Sequence, residues 1–307
     1  MSSEKFAKLD FVTHRNKFFL FSSCLVLVGL IMLSLFGLNT GVDFSAGTSL
    51  DISIGPHSTD NEEAREMIMS AVDVEPVITV GGTNKNRIST RFPRVLEEQE
   101  RQALLNTYYE KYGEENVSYE EYTVDPVIAQ ELVRKAINAV AIASIGILIY
   151  VSIRFEWRFA VAAIIALLLD AFVIISLFSI FRWEVNLPFI AAVLTIIGYS
   201  INATIVLFDR IRENMRYAKL KTFDDVADLL NQSIRQTLMR VLNTSITCII
   251  AVLLLLIMGS EAIRLFSLAI LIGLVSGMYT TLFIAGQIWL LLKTRSLKRG
   301  KVEQKTA

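Results

Sequence analysis

Long apolar runs alternate with charged connectors along this chain. The apolar runs fall at 18–37, 134–153, 159–181, 187–208, 241–259 and 264–292. About 20 apolar residues are enough for a helix to cross a bilayer, so each run predicts a membrane-spanning helix. The sixth run is longer than one crossing needs and predicts a helix that tilts or continues past the membrane. The first is long for the core of a removable signal peptide. It passes without a break into residues 31–40 (IMLSLFGLNT), so it reads as a retained span.

The stretch between the first two runs has a different period. Thr48–Ile54 (TSLDISI) alternates and predicts a strand. Ser58, Thr59 or Asp60 can cap a following helix with Ala64, Met67, Ile68 and Ala71 on one face. Val77–Val80 and Arg87–Arg91 then flank GGTNKN, a turn by composition. Leu96–Tyr112 is a second amphipathic helix, ended by Gly113, and Val117–Val124 closes as a strand before Pro126. This β-α-β-β-α-β order is that of a ferredoxin-like split βαβ unit. The predicted fold class is therefore an all-α six-helix transmembrane bundle plus one α+β ferredoxin-like domain at 38–130, between spans 1 and 2. No nucleophile–base pair or phosphate loop lies in that domain. Binding or packing is its expected work, and the fold alone assigns no function.

Charge orients the pattern. Of the residues, 53% are hydrophobic, mean hydropathy is +0.50 and net charge is zero. Segment 1–17 holds Lys5, Lys8, Arg15 and Lys17, and the tail 293–307 holds Lys293, Arg295, Lys298, Arg299, Lys301 and Lys305. The connector at about 209–240 is also basic, whereas loops 182–186 and 260–263 share one basic residue, Arg182. The positive-inside rule then predicts both termini and the 209–240 connector in the cytoplasm and 38–130 outside. The outer segment is acidic, with Glu62-Glu63, Glu97-Glu98, Glu114-Glu115 and Glu120-Glu121. Nothing suggests nucleic-acid binding. Cys24 and Cys248 both fall in predicted spans, so no disulfide framework is legible. His14 and His57 are isolated, and no Cys/His cluster implies a metal.

Polar residues inside the spans are the candidate chemistry, because such groups are costly in lipid and tend to face protein, water or a transported species. Asp170 lies mid-span in ALLLDAFVII. It reads either as a proton-carrying carboxyl or as a structural hydrogen-bonding group. In span 4, Thr195, Tyr199 and Asn202 share a face that Asp209 continues, and Ser200 and Thr204 form a neighbouring stripe. Tyr199 and Asn202 together are the expected path-lining pair, whereas Ser200 and Thr204 are expected to hold helices together. In span 5, Arg240, Asn243 and Thr247 share a face. Arg240 either snorkels into water or stands against a carboxylate from another helix. The run Asp209–Asn214 (DRIREN) allows Asp209–Arg212 and Arg210–Glu213 pairs, worth at most about 1 kcal/mol each at a surface. It reads as a solvated helix end. Gly273-x-x-x-Gly277 in span 6 is a close-packing pattern.

Five separated motifs carry a resemblance that runs nearly end to end. Gly41-Val42-Asp43-Phe44-Ser45-Ala46-Gly47-Thr48 resembles the G-[LV]-D-F-x-G-G-T of the SecF family, with Ala46 in place of a glycine. Arg154-Phe155-Glu156-Trp157-Arg158 resembles the family's R-F-E-W-R turn. GYSIN (198–202), DRIREN (209–214) and Gln236-Thr237-Leu238-x-Arg240 complete the set. SecF is the smaller membrane subunit of the bacterial SecDF protein-export auxiliary.

The resemblance implies half of a resistance-nodulation-division-like transporter, with SecD supplying another six spans. Proton flow would move an outer domain and help a preprotein leave the SecYEG channel after SecA has pushed it in. The nucleotide motor would belong to SecA, in keeping with a chain that has no phosphate-binding loop. Implied partners are SecD, SecYEG, the preprotein, membrane lipids and, more peripherally, YajC and YidC. No catalytic residue, cofactor or metal is implied. Asp170 matches an acidic position of span 3, and Arg240 matches the arginine tied to proton passage. Ala203 stands where the family has an aspartate directly after GYSIN, and an alanine can neither bind nor release a proton. Three readings stay open: a proton-coupled export auxiliary, a non-conducting scaffold of the same complex, and a small-molecule or lipid exporter of the wider superfamily.

Overall fold

The structure, a computed structural model, describes residues 10–82, 84–218 and 220–306, and only the backbone of 261, 262 and 298–306. Lys5, Lys8 and the Thr83 of the predicted turn lie outside the described residues, as do the side chains of Lys298, Arg299, Lys301 and Lys305. The chain divides into two compact units, one of Met1–Asn39 with Ala139–Ala307, the other of Thr40–Asn138.

The smaller unit contains β1 (Gly47–Ser53), α2 (Asn61–Ala71), β2 (Val77–Gly81), β3 (Arg87–Phe92), α3 (Glu98–Tyr112) and β4 (Ser118–Val124). The helix that precedes it, α1 (Arg15–Phe36), belongs to the larger unit. The sheet order is β2-β3-β1-β4, antiparallel throughout. Pairing sets Leu50 opposite Thr90 and Ile52 opposite Ile88, which turns one face of the sheet apolar. Leu50, Ile52 and Ile88 are buried there with Ala64 and Ile68 of α2 and Leu104 and Tyr108 of α3.

Local chemistry starts and stops these elements. Asp60 accepts from the Glu62 and Glu63 amides and begins α2. Glu97 and Glu100 form a reciprocal capping box at α3. Several residues of the acidic pairs are matched: Lys111 Nζ meets Glu63 at 2.6 Å, and Arg101 meets Glu121 at 2.6 Å. β4 lies at an edge of the sheet and is exposed at all but its last position.

The 41–48 motif is a backbone device. A single helical turn, Val42–Ser45, leads into Ala46 at φ 64°, ψ 170° and Gly47 at φ 117°. A β-carbon on Gly47 would stand 2.0 Å from the Phe92 carbonyl oxygen, so only glycine fits. Buried Asp43 is hydrogen-bonded to Tyr122 of β4. Burial first, and Asp43 second, raise the Tyr122 phenol above its ordinary value.

The larger unit is helical. It contains α1, the part of α4 (Pro126–Arg154) from residue 139 on, α5 (Trp157–Ile180), α6 (Leu187–Met215), α7 (Phe223–Met258), α8 (Glu261–Tyr279), a π-helical turn (Thr280–Ala285) and α9 (Gly286–Thr306). Among the described residues six helices are long and apolar enough to cross a membrane. The sixth runs unbroken through α8, the π turn and the start of α9, over Ile263–Leu297. The apolar stretches of α5, α6 and this sixth helix are 50%, 44% and 61% buried, against 11% for α1 and α4, so those three form the centre of the bundle.

Small residues set the packing. A β-carbon on Gly273 would lie 2.5 Å from Ile196, so Gly273 of the Gly273–Gly277 pattern seats α8 closely on α6. One on Gly29 would lie 2.7 Å from Ser176 Cβ, which fixes α1 against α5. Two helices begin earlier than their apolar runs. α4 starts at Pro126, with a Glu131–Lys135 pair in its polar first turns, and α7 starts at Phe223, behind a capping box of Thr222 and Asp225. Arg182 is the exceptional basic residue of the short loops, and it has a structural task. Its guanidinium donates to the Phe36 and Gly37 carbonyls at 2.7 and 3.1 Å and closes the end of α1.

Candidate functional site

Asp170 is fully buried in the middle of α5. Three hydroxyls hold it. Ser276 Oγ of α8 donates to Oδ1 at 2.6 Å. Thr280 Oγ1 reaches Oδ1 at 2.8 Å and Oδ2 at 2.9 Å, and Ser200 Oγ of α6 donates to Oδ2. Among the described residues no Arg, Lys or His donates to this carboxyl. Hydroxyls can donate to a carboxylate or accept from a carboxylic acid, so this cradle accommodates either protonation state without a charged partner.

The sequence of the sixth helix produces the cradle. Ser276 and Thr280 are four residues apart and share a face. The wide turn that begins at Thr280 then changes the register. Thr281 Oγ1 meets Thr204 Oγ1 of α6 at 3.1 Å, one residue after the Asp170 contact. Such π turns cluster at functional sites. Gly277 lies beside the cradle, where a β-carbon would make ordinary contacts, 3.4 Å from Ser200 Oγ and 3.8 Å from Asp170 Oδ2.

The other candidates do not join Asp170. Tyr199 donates to Ser245 Oγ of α7 at 3.1 Å, and Asn202 is exposed. Ala203 is half-buried and shares a helical stripe with Tyr199 and Val206. Arg240 lines an open groove of about 360 Å³ with Val206, Asp209, Arg210, Glu213 and Gln236, and its guanidinium makes no ion pair among the described residues. Two separate places therefore emerge, a buried carboxyl inside the bundle and a polar face along α6 and α7. On that face Thr195, Thr244 and Thr247 donate back to carbonyls of their own helices, those of Ala191, Arg240 and Asn243. The amides of Asn202 and Asn243 find no partner among the described residues. The stripe expected only to hold helices together, Ser200 and Thr204, is the one that reaches Asp170 and its neighbours. Sequence reasoning missed Ser276 and Thr280, although paired hydroxyls beside a glycine in an apolar run were the available signal.

The charged helix ends are more than a solvated boundary. Both expected pairs form, Arg210–Glu213 at 2.6 Å and Asp209–Arg212 at 3.4 Å. The run also crosses to α7, where Arg210 and Asn214 donate to Gln236 Oε1 at 2.7 and 2.9 Å. Arg154 meets Asp209 at 3.4 Å and lies over the Phe155 ring, as Arg212 does. Arg158 contacts Glu156, lies over Trp157 and donates to Ser296 Oγ at 2.8 Å. The 154–158 and 209–214 motifs thus tie the ends of α4, α5 and α6 to the bodies of α7 and α9. Among the described residues no group of three or more His, Cys, Asp or Glu side chains gathers as a metal site.

These features define a multi-pass membrane protein with a carboxyl buried in its helical core and a second, α+β unit. A family model described as "Protein export membrane protein SecD/SecF, C-terminal" matches residues 105–295. The chain belongs to the SecD/SecF family. It is 38% identical over 304 residues to the protein translocase subunit SecF of Alicyclobacillus acidocaldarius, covering 98% of both chains. It is 46% identical over 300 residues to the protein translocase subunit SecDF of Bacillus subtilis, covering 97% of this chain but 40% of that relative. The crystal structure of SecDF from Thermus thermophilus, titled a translocon-associated membrane protein, superposes with a TM-score of 0.82 at 31% identity. That match covers 93% of this chain and 38% of that one, so the chain spans about two fifths of each SecDF relative.

Proposed function

We propose that this chain is the SecF-type half of an export auxiliary that works with a SecD-type subunit. Its relatives support a role in Sec-pathway protein export. In this reading 1–17, the connector at about 209–240 and the tail 293–307 lie in the cytoplasm. The β-α-β-β-α-β unit is a ferredoxin-like domain outside, where it meets preprotein leaving the SecYEG channel. Proton flow across the bundle biases that domain between states. One charge crossing 100 mV is worth about 2.3 kcal/mol, enough to shift such an equilibrium strongly and too little to unfold a substrate in one step.

One observation carries the reading: the uncovered polar face of α6 and α7. Arg240 is exposed at the cytoplasmic end of this face, and Asn202 and Asn243 are exposed within the apolar runs of helices long and apolar enough to span a membrane. Lipid does not satisfy such amides, so a second membrane-embedded partner covers them. Asp170 is the proton-binding group this chain contributes, and Tyr199, Asn202 and Arg240 line the partner side. A second reading has its own observation. Ala203 supplies no carboxyl to that face, which suits a scaffold whose partner carries the protons. Vesicles holding this chain and its SecD-type partner test the proposal. Protein export should rise when a membrane potential is imposed, and potential-independent export identical to that of partner-only vesicles would contradict it.

A further inference from the structure

The groove between α1, α5 and α8 is a second built feature of the bundle, distinct from the polar face. Phe21 and Leu25 of α1, Leu169 and Val173 of α5, and Leu271 and Val275 of α8 line about 480 Å³ of open space. That volume lies within the range of about 300–1,000 Å³ typical of ligand sites. We infer that one acyl chain of a bilayer lipid occupies this groove and seals the Asp170 cradle from the lipid side.

The occupant's chemistry follows from the walls. All three helices are of membrane-spanning length and hydropathy, and the lining positions fall well inside each, so the mouth opens on hydrocarbon. The hydroxyls in the lining are already engaged. Ser22 Oγ and Tyr279 OH are hydrogen-bonded at 3.0 Å, and Tyr279 OH donates to the Phe18 carbonyl at 2.9 Å. Ser276 and Thr280 donate to Asp170. No hydroxyl proton is left to donate to a headgroup or a polar ligand, and a purely apolar chain leaves all four bonds intact.

The walls run lengthwise along the helices, that of α5 from Leu169 to Leu177, about 12 Å at 1.5 Å per residue. Position gives the chain a consequence. Ser276 and Thr280 form part of the groove wall on one side and hold the carboxyl on the other. A hydrocarbon chain lying over them keeps water from Asp170 on that side, and exchange with the aqueous phases must then run along the helices.

Photolabelling tests this directly. The full chain is reconstituted in phosphatidylethanolamine–phosphatidylglycerol vesicles with a trace of phosphatidylcholine carrying a mid-chain diazirine, illuminated, and mapped by mass spectrometry. Adducts should concentrate on Leu25, Leu271 and Val275 over Ile142 and Leu148, which are exposed on α4. Val275→Phe, a bulky change at a position 52% exposed, should cut labelling at Leu25 and Leu271 several-fold and leave Ile142 unchanged. Labelling that simply follows exposure in the unmodified chain overturns the proposal, whatever the variant does. So does selective protection of the groove positions in native membranes, which would mean that a protein covers them.

Discussion

Thr280 Oγ1 stands within hydrogen-bond distance of both carboxyl oxygens of Asp170, at 2.8 and 2.9 Å. It does so from the first residue of a π turn, so the irregular turn of the sixth helix and the buried acid of α5 form one unit. Replacing the hydroxyl with a methyl keeps the volume and removes a donor to the buried carboxyl. Thr280→Val should destabilise the bundle by about 1–3 kcal/mol, and Thr280→Ser should recover most of that. Thermal unfolding of the purified protein in detergent measures both. Equal stability of Val and Ser variants would separate Thr280 from Asp170.

Ala46 occupies a backbone conformation that is essentially reserved for glycine, at φ 64° and ψ 170°. Ala46→Gly should therefore stabilise the smaller unit by about 1 kcal/mol, the relief of strain less the extra freedom of an unfolded glycine. Gly47→Ala should be severely destabilising, because its β-carbon would meet the Phe92 carbonyl oxygen at 2.0 Å. Melting followed at the tyrosines of this unit distinguishes the two.

Asp10, ahead of α1, accepts from the Thr13 hydroxyl, from the Val12 and Thr13 amides at 3.1 Å and from Asn231 of α7 at 2.9 Å. These bonds, the Thr13 hydroxyl foremost, lower its pKa from 3.8 to about 2. A depressed carboxyl stabilises its surroundings fully above its unfolded value, and that contribution is lost as pH falls through the folded one. Docking of the segment at Phe11 and Val12 should thus hold at pH 5 and weaken between about pH 4 and 2. Asp10→Asn should remove that pH dependence. Hydrogen exchange at the Val12 and Thr13 amides reports it.

Ala203 shares its stripe with Tyr199 and with Val206 of the Arg240 groove, not with the Asp170 cradle. A carboxyl there would face the polar side of α6. Ala203→Asp should therefore raise proton flux through vesicles holding the chain and its partner, while the stability of the Asp170 cradle stays unchanged. Unaltered flux would mean that this face no longer has surroundings that serve an acid.

The spans were legible because uninterrupted apolar runs have one common solution in a bilayer. The β-α-β-β-α-β order was legible from turn residues and from the switch in period between TSLDISI and the 61–71 helix. Helix rotation was not. Whether Tyr199 or Ser200 faces Asp170 depends on how α8 seats on α6, and the close contact at Gly273 bears on that from many residues away. The π turn left no mark, since nothing in the composition of TTLFIA sets its winding apart from an α-helix. The early start of α7 carried a signal that was overlooked, with Thr222 three residues before Asp225.

Proton coupling through Asp170 is the central claim. Asp170→Asn keeps the size and the acceptor oxygen but cannot bind and release a proton near neutral pH. In vesicles holding the assembled complex, the variant should lose the potential-dependent part of protein export and keep the potential-independent part. Full potential-dependent export by an assembled Asp170→Asn complex would contradict the account.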